Sequence, residues 1–235
     1  MRNYDPDLYI DLIENSNSQL LINFMEDEKK IISGIKNRSR KNVIDLGAGY
    51  GRALSFLKNN YSYYYGIEIN ESMYNYLNKE TQKYKNTQAI HADFSDLNDI
   101  ITKNNINPNN TVFLLIQNTI GTIEGHHLNI LDELKNILCN NSSELIISFF
   151  KSTKLSSLGL EMFSGIEAMV GRFDYKSSDL KNGIFKTNTG YEAKWWSNHE
   201  INNIIQSFGL NNCKKIYREA YCIFHLNNNK HEVIY

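Results

Sequence analysis

The glycine-rich segment after the first strongly apolar run is the part of the sequence whose spacing best predicts chemistry. The run Val43–Leu46 leads into Gly47, Gly49 and Gly51, and a helical pattern follows. Glycines at such a strand-to-helix turn permit a tight corner and let a ligand lie against the backbone, where a Cβ would collide. The spacing is G-x-G-x-G, whereas dinucleotide-binding loops have G-x-G-x-x-G. Asp45, two positions before the first glycine, would repel a pyrophosphate and favours a ligand that carries positive charge.

Two further acidic residues follow at the ends of the next two predicted strands. Glu68 lies 17 residues beyond Gly51, and a carboxylate at this place can accept both hydroxyls of a ribose. Asp93 comes just after the third predicted strand, where it could accept a hydrogen bond from an exocyclic amine of adenine, with Phe94 against the ring. Aspartate there also commonly caps the next helix, and Ser95 could do the same. Together with the glycine loop, these positions predict a nucleoside-bearing ligand.

The elements that must position these residues alternate between strands and helices. The apolar runs predicted as strands are Val43–Leu46, Tyr63–Ile67, Thr87–Ile90, Thr111–Ile116, Glu144–Phe150 and Tyr221–Leu226. Helical spacing of apolar residues separates them, and the fourth and fifth runs are nearly continuous, as in strands buried on both faces of a parallel sheet. Such alternation predicts an α/β fold with a doubly wound, mostly parallel sheet.

Two regions depart from this alternation, and each is predicted to have a separate role. Residues 1–40 have helical apolar spacing and are predicted to form an N-terminal helical cap or lid, with Tyr4 and Tyr9 as candidate contacts to a substrate. Residues 41–235 are then the catalytic domain. Within it, residues 151–194 contain scattered glycines and aromatics without a clean period. Long irregular stretches in compact domains are often functional, so this one is predicted to be an insertion that shapes the substrate pocket.

Composition narrows the partners and the compartment. The formal net charge of −1 argues against binding along a nucleic-acid backbone. The longest apolar runs are far shorter than the roughly 20 residues that a membrane-spanning helix needs. The three cysteines are odd in number and lack metal-ligand spacing, which indicates reduced thiols, no metal site and a cytoplasmic location.

The ordered set of motifs resembles the class I S-adenosylmethionine-dependent methyltransferases over residues 43–150. The resemblance implies a Rossmann-like sheet of seven strands whose last strand is antiparallel, with S-adenosyl-L-methionine as cofactor and S-adenosyl-L-homocysteine as product. It implies that the glycine loop faces the methionine part, that Glu68 binds the ribose, that Ile69 and Met73 flank the adenine and that Asp93 faces its amino group. The cofactor-binding residues implied in this way are Asp45, Gly47, Ala48, Gly49, Gly51, Glu68, Ile69, Met73, Asp93, Phe94 and Gln117.

The segment after the fourth predicted strand is where this family places residues that face the acceptor. The stretch Asn118–Gly121 lacks the Asn/Asp-Pro-Pro-aromatic tetrad of methyltransferases that act on DNA-base amino groups, and it resembles the loop of small-molecule methyltransferases. The catalytic candidates are Asn118, His126 and Trp195, and His127 and His199 are further possible bases. A general base is needed only if the nucleophile arrives protonated.

The aromatic residues near position 195 are candidates for holding the acceptor. Tyr191, Glu192 and Trp196 combine aromatic faces with a carboxylate, a combination that could bind an ammonium group. Neighbouring side chains of an extended segment point to opposite faces, so at most one of Trp195 and Trp196 can face a given pocket.

The sequence therefore predicts a methyltransferase that acts on a small-molecule acceptor, at an amine nitrogen in preference to an oxygen. Two alternatives stay open: methylation of a peptide, a protein or tRNA, and a non-catalytic S-adenosylmethionine-binding partner subunit. Aminopropyl transfer is disfavoured because no acidic polyamine motif is evident, and a nicotinamide dehydrogenase is disfavoured by the glycine spacing.

Overall fold

The computed structural model describes residues 5–123, 127–210 and 212–227. The helices are α1 Pro6–Glu14, α2 Gln19–Ser33, α3 Arg52–Leu57, α4 Glu71–Thr81, α5 Leu97–Lys103, α6 His127–Asn140, α7 Leu160–Gly165, α8 Glu167–Val170 and α9 Asn198–Ser207. The strands are β1 Asn42–Leu46, β2 Tyr63–Glu68, β3 Thr87–His91, β4 Thr111–Leu115, β5 Glu144–Phe150, β6 Ile184–Lys186, β7 Glu192–Lys194, β8 Asn212–Tyr217 and β9 Tyr221–Asn227.

Seven of these strands form one sheet in the order β3-β2-β1-β4-β5-β9-β8. Strands β1 to β5 pair in parallel, and β9 runs antiparallel to both β5 and β8. This confirms the predicted doubly wound, mostly parallel sheet of seven strands. The chain winds outward from β1 to β3 and then returns to add β4 on the other side of β1, so the sheet has its topological switch point between β1 and β4. Ligands of such sheets bind at the carboxyl ends of the strands beside that point.

Strand β8 has no counterpart among the strands predicted from the sequence. It forms one edge of the sheet, and five of its six residues are exposed. Because no side of the strand is buried, its residues need not alternate between polar and apolar, and period-2 patterning is the signal by which a strand is recognised. The hairpin of β6 and β7 escaped prediction because each strand has only three residues.

The sheet separates two apolar clusters, one on each face. Helix α2 belongs to the first, with Phe24 and Ile32 fully buried beneath it. Ser18 precedes this helix, and an apolar stripe at helical spacing explains why it packs on the sheet. Of the predicted cap, α2 is therefore part of the core, whereas α1 lies at the edge of the cavity described below, where it contributes Tyr9 and Ile13.

The segment between β5 and α9 packs on the same face as α2. It contains α7, α8 and the β6–β7 hairpin, whose aromatic residues form a stack. The ring of Phe185 lies 3.7 Å from that of Phe163 and 5.4 Å from that of Phe173, both nearly parallel to it. Stacked rings bury a large apolar area and give an irregular backbone a defined position.

None of the helices in the described ranges combines the length and the apolar composition that crossing a bilayer would require.

Candidate functional site

A cavity of about 770 Å³ opens at the carboxyl ends of β1, β2 and β4. Its size falls within the range of about 300–1,000 Å³ that is usual for small-molecule and cofactor sites. Ten of the eleven residues predicted to bind the cofactor line it: Asp45, Gly47, Ala48, Gly49, Glu68, Ile69, Met73, Asp93, Phe94 and Gln117. Helix α1 and the segment from α7 to Trp195 form the opposite wall.

The three loop glycines have left-handed backbone conformations, but they serve different purposes. Their φ angles are +72° at Gly47, +56° at Gly49 and +88° at Gly51, a region that residues with a Cβ rarely adopt. A Cβ on Gly49 would meet no atom within 4 Å, so this glycine leaves open space at the cavity. A Cβ on Gly51 would lie 2.9 Å from Leu77 Cδ1. The structure places Gly51 outside the cavity lining: it turns the chain into α3, and Leu77 of α4 packs where its Cβ would be.

Glu68 ties the end of β2 to the glycine loop. Its Oε1 accepts a hydrogen bond of 2.8 Å from the backbone N–H of Asn70, and its Oε2 accepts one of 2.8 Å from the N–H of Gly49. Burial raises the pKa of the Glu68 carboxyl, and these backbone donors oppose that rise. A carboxylate has about four acceptor positions, so these backbone contacts leave it capacity to accept from a ligand.

Asp45 and Arg52 are buried and incompletely paired among the described residues. Asp45 is 1% exposed; its Oδ2 accepts a hydrogen bond of 2.8 Å from the Tyr64 hydroxyl, and its Oδ1 has no partner there. Burial raises the pKa of the Asp45 carboxyl to about 7. Arg52 is 4% exposed and donates through Nη2 to Glu28, whereas its Nε and Nη1 have no partner in the described part of the chain.

Buried polar atoms are nearly always hydrogen-bonded in native proteins, so unpaired ones at a cavity point to a ligand. The free carboxylate oxygen of Asp45 and the free N–H groups of Arg52 belong to residues that both line the same end of the cavity. An acceptor and a donor of opposite charge match the ammonium and the carboxylate of an amino-acid group. Together with the space at Gly49, they fit the methionine end of S-adenosylmethionine. Sequence reasoning missed Arg52, although its place directly after the last loop glycine was a usable signal.

Asp93 has the capping role considered from the sequence, and it also lies at the cavity. Its Oδ1 accepts a hydrogen bond of 2.9 Å from the Ser95 N–H and so caps the short helix that begins at Phe94. Its side chain is exposed and also lines the cavity. The apolar side chains of Phe94 and Met73, 6% and 3% exposed, complete this end, whose flat apolar walls suit a planar base.

The side-chain amide of Asn118 makes several hydrogen bonds within the protein. It has a left-handed backbone conformation, with φ of +54°, and is 2% exposed. Its Oδ1 accepts hydrogen bonds of 3.2 Å from the Phe150 N–H and from Trp196 Nε1, while its Nδ2 donates to the Lys194 carbonyl at 3.0 Å. Both acceptor positions of the amide oxygen are used. Asn118 lines the cavity, where these bonds brace the acceptor-side loop, and its role as a catalytic residue stays a prediction.

Glu28 is the second residue that sequence reasoning missed. This fully buried carboxylate on α2 accepts hydrogen bonds of 2.6 Å from the Gln117 N–H and 2.7 Å from Ser148 Oγ through Oε1, and it pairs with Arg52 through Oε2. It thus connects the glycine-loop side of the cavity to the loop that follows β4. The available signal was a charged residue within the apolar stripe of α2, four positions from Phe24 and from Ile32.

The adjacent tryptophans lie on opposite faces, as predicted. Trp195 is fully buried in the cavity wall, and its ring stacks on that of Phe150 with centroids 4.6 Å apart. Trp196 packs in the other cluster, edge-on to Phe149, and does not line the cavity. The structure thus places Trp196 away from the cavity, where its backbone pairs with Lys151.

The remaining candidates divide by position. Tyr9, Tyr191 and Glu192 line the cavity. His199 is exposed on α9, where its Nε2 lies 3.1 Å from Asn203 Nδ2, and it does not line the cavity. Tyr4 and His126, and the side chain of His127, lie outside what the structure describes, so their assignments stay predictions.

Comparisons with known proteins agree with this geometry. Residues 44–104, about a quarter of the chain, match a family model described as a methyltransferase domain. No curated protein matches the chain in sequence. An S-adenosylmethionine-dependent methyltransferase from Clostridium acetobutylicum has a similar structure, with 13% identity, a TM-score of 0.56 and coverage of 94% of this chain and 96% of that chain.

Two structures from Burkholderia thailandensis are also similar. One is 1,6-didemethyltoxoflavin-N1-methyltransferase with 1,6-didemethyltoxoflavin and S-adenosylhomocysteine bound, at 12% identity, a TM-score of 0.53 and coverage of 97% of this chain and 92% of that chain. The other is an O-methyltransferase family protein, at 12% identity, a TM-score of 0.58 and coverage of 89% and 57%. The matched domain spans β1 to α5 and includes the glycine loop, Glu68 and Asp93. This part of the chain therefore matches a methyltransferase domain, and the seven-stranded sheet around it has the fold of the S-adenosylmethionine-dependent methyltransferases to which it is similar.

Proposed function

We propose that this methyltransferase acts on a small-molecule acceptor, at an amine nitrogen in preference to an oxygen. The observation that carries the proposal is the shape of the cavity. It runs from the glycine loop to an apolar region walled by α1 and by the segment from α7 to Trp195. Small-molecule sites are concave and mostly apolar with a few polar groups, and this cavity has that character. A peptide, a protein or tRNA would need a more open approach.

The polar end of the cavity would hold the cofactor. In this arrangement Glu68 accepts the ribose hydroxyls, Asp93 faces the adenine amino group, Asp45 pairs with the ammonium and Arg52 with the carboxylate. The bound cofactor supplies an electrophilic methyl group on a sulfonium. The protein's own task is then to hold the acceptor nucleophile in line, at roughly 3–3.5 Å from that methyl, and to keep water away.

The preference for nitrogen rests on the ionisable groups around the cavity. Its described lining contains no histidine and no lysine. An alcohol or phenol gives up a proton on methylation and benefits from a base, whereas an uncharged amine attacks with its own lone pair. Of the two similar Burkholderia thailandensis structures, one is an N1-methyltransferase and the other is an O-methyltransferase family protein, so these neighbours alone favour neither atom. His126 stays a candidate base outside the described residues.

The proposal can be tested in two steps. S-adenosylhomocysteine at about 100 times its dissociation constant should stabilise the protein by about 2.7 kcal/mol, a rise of roughly 5–10 °C in Tm, whereas NADH should cause none. S-adenosylhomocysteine release should then be measured against panels of small amines, hydroxyl compounds, peptides and tRNA. Turnover only with peptides or tRNA would contradict a small-molecule acceptor, turnover only with hydroxyl compounds would contradict the nitrogen preference, and binding without turnover on any panel would favour a non-catalytic partner subunit.

Cofactor binding should depend on pH because Asp45 titrates near neutrality. Its pKa is raised to about 7 by burial, and only the ionised carboxylate pairs with the ligand's ammonium. Protonation therefore competes with binding below pH 7, and the affinity for S-adenosylhomocysteine should rise by up to about tenfold between pH 6 and pH 8. Calorimetric titrations at these pH values check this. The Asp45→Asn variant, which can still accept the Tyr64 hydrogen bond, should bind weakly with little pH dependence; an unchanged slope in it would assign the titration to another group.

A further inference from the structure

The apolar half of the cavity has a composition that selects among possible acceptors. We infer that the acceptor is a planar aromatic compound whose nucleophilic atom is uncharged, such as a ring nitrogen or an arylamine, and that it stacks within this half. We call this half the acceptor chamber and define it by Ile13, Leu21, Phe150, Phe163, Tyr191 and Trp195. The inference rests on the proposed function and narrows it to a class of substrate.

The first argument is the arrangement of rings around the chamber. Trp195 stacks on Phe150 at 4.6 Å and 23°, and its centroid lies 6.2 Å from that of Phe163. Tyr191 meets Phe163 edge to face at 6.0 Å. Trp195 is wholly buried and Phe150 and Phe163 are each 5% exposed, so these rings form a rigid wall, and Tyr191 is the partly exposed ring beside them. A flat aromatic ligand can satisfy such surfaces by offset stacking or edge contacts, which a saturated chain cannot do.

The second argument is that two methionines give part of the chamber wall an adaptable surface. Met162 and Met169 line the chamber beside Phe163. Methionine side chains are unbranched and polarisable, and they make favourable contacts with aromatic rings while adapting to an irregular outline. The chamber thus combines fixed rings with adaptable thioethers, a lining that suits a flat ring system, and Nε1 of Trp195 in the same wall has no hydrogen-bond partner among the described residues.

The third argument is charge. Glu192 is the acidic residue of the described lining on this side, and its Oε2 lies 2.7 Å from Lys186 Nζ at the rim, so its charge is already countered. The other charged residues of the lining, Asp45, Arg52, Glu68 and Asp93, lie at the cofactor end. A charged acceptor would lose its hydration in the chamber without gaining an ionic partner.

Two general facts point the same way. A cationic acceptor would approach a sulfonium that is itself positively charged, and like charges repel most strongly where water is excluded. A protonated amine, moreover, has no lone pair with which to attack. Alkyl amines are protonated at pH 7, as the ordinary pKa of about 10.4 for lysine indicates. Aromatic ring nitrogens and arylamines are largely unprotonated there and need no base before the attack. As the bond from the methyl carbon to the nitrogen formed, the bond from that carbon to sulfur would break, and its electron pair would go to sulfur, leaving the neutral thioether of S-adenosylhomocysteine. An arylamine would then give up a proton to solvent, whereas a ring nitrogen would keep the positive charge.

The binding test uses the S-adenosylhomocysteine-loaded protein and three probes of nearly equal size. Quinoline is flat and uncharged at pH 7.5, N-methylquinolinium is flat and cationic, and decahydroquinoline is saturated and cationic. Ligand-observed NMR or calorimetry should show that quinoline binds at least about tenfold more tightly than either of the other two. Equal or tighter binding of N-methylquinolinium would overturn the uncharged nucleophile, and equal binding of decahydroquinoline would overturn the planar ring.

Two matched variants show whether the probe occupies the chamber. Phe163 and Phe173 both stack on Phe185, but only Phe163 lines the cavity. Phe163→Leu should weaken quinoline binding about fivefold, while Phe173→Leu should leave it within about twofold. Equal effects of both variants would overturn the chamber as the binding site. The affinity for S-adenosylhomocysteine, measured in the same samples, should be unchanged in both. If the wild-type protein did not bind S-adenosylhomocysteine, the proposed function would be refuted. If it bound S-adenosylhomocysteine but showed no preference for quinoline, only the acceptor class would be refuted.

Discussion

Replacing Glu28 by alanine is expected to lower the free energy of unfolding by about 3–5 kcal/mol, because it leaves the buried guanidinium of Arg52 without its ionic partner. The variant also removes the carboxylate oxygen that accepts hydrogen bonds from the Gln117 N–H and from the Ser148 hydroxyl, so both donors lose their partner. For a chain of this length, the loss corresponds to a fall in Tm of roughly 6–20 °C. Calorimetry or chemical denaturation measures it directly.

The control for this prediction is on the same helix. Glu26 is exposed on α2, two positions from Glu28, and Glu26→Ala should change the free energy of unfolding by less than about 0.5 kcal/mol. The double variant Glu28→Leu/Arg52→Met removes both charges, so it should be less destabilised than the sum of the two single variants. Additive effects in that cycle would show that the buried pair is not the source of the loss.

The Glu28 substitution should also loosen the loop that follows β4 and lines the cavity. The Gln117 N–H that it releases lies in a left-handed segment, with φ of +57° at Gln117, which the hydrogen bond helps to hold. We expect faster amide exchange at residues 115–120 in Glu28→Ala than in the wild-type protein under conditions where both are folded. Unchanged exchange there would mean that the loop keeps its conformation without the carboxylate.

Replacing Glu68 by alanine is expected to weaken S-adenosylhomocysteine binding by roughly 100-fold or more. Hydrogen bonds to a charged group contribute about 1.5–3 kcal/mol each, and the ribose would lose two of them. The substitution also frees the Gly49 N–H that the carboxylate now accepts, so the loop loses a constraint on the side that faces the cofactor. Calorimetric titration of S-adenosylhomocysteine into the folded variant measures the effect.

Two further variants test whether the weaker binding comes from the loss of the Glu68 carboxylate. Glu68→Gln keeps one oxygen acceptor but places an amide donor near a backbone N–H, so it should bind with intermediate affinity. Glu71→Ala, an exposed residue at the start of α4 three positions away, should bind like the wild-type protein. Wild-type affinity in Glu68→Ala would remove the ribose assignment.

Much of the fold was predictable because it depends on local patterns. Strands β4 and β5 are buried on both faces and appear in the sequence as uninterrupted apolar runs. The box formed by Ser197 and Glu200 predicted where α9 begins, and both of its hydrogen bonds are present. In contrast, β8 carries no such pattern because it lies at an exposed edge.

The cofactor end of the cavity could be predicted from the order of residues along the chain. There each residue is placed by its distance from a strand terminus: Asp45 before the glycine turn, Glu68 at the end of β2 and Asp93 after β3. In a parallel sheet the carboxyl ends of neighbouring strands meet at one edge, so order along the chain becomes proximity in space.

The rest of the site depends on contacts between segments that are distant in sequence. Glu28 reaches Ser148 across 120 positions of the chain, and the amide oxygen of Asn118 accepts hydrogen bonds from Phe150 and Trp196. Which tryptophan faces the cavity also depended on a backbone bridge at Trp196. These contacts join segments that are distant in sequence, and no periodicity or spacing records them, because each depends on how α2 and the segment after β5 pack against the sheet.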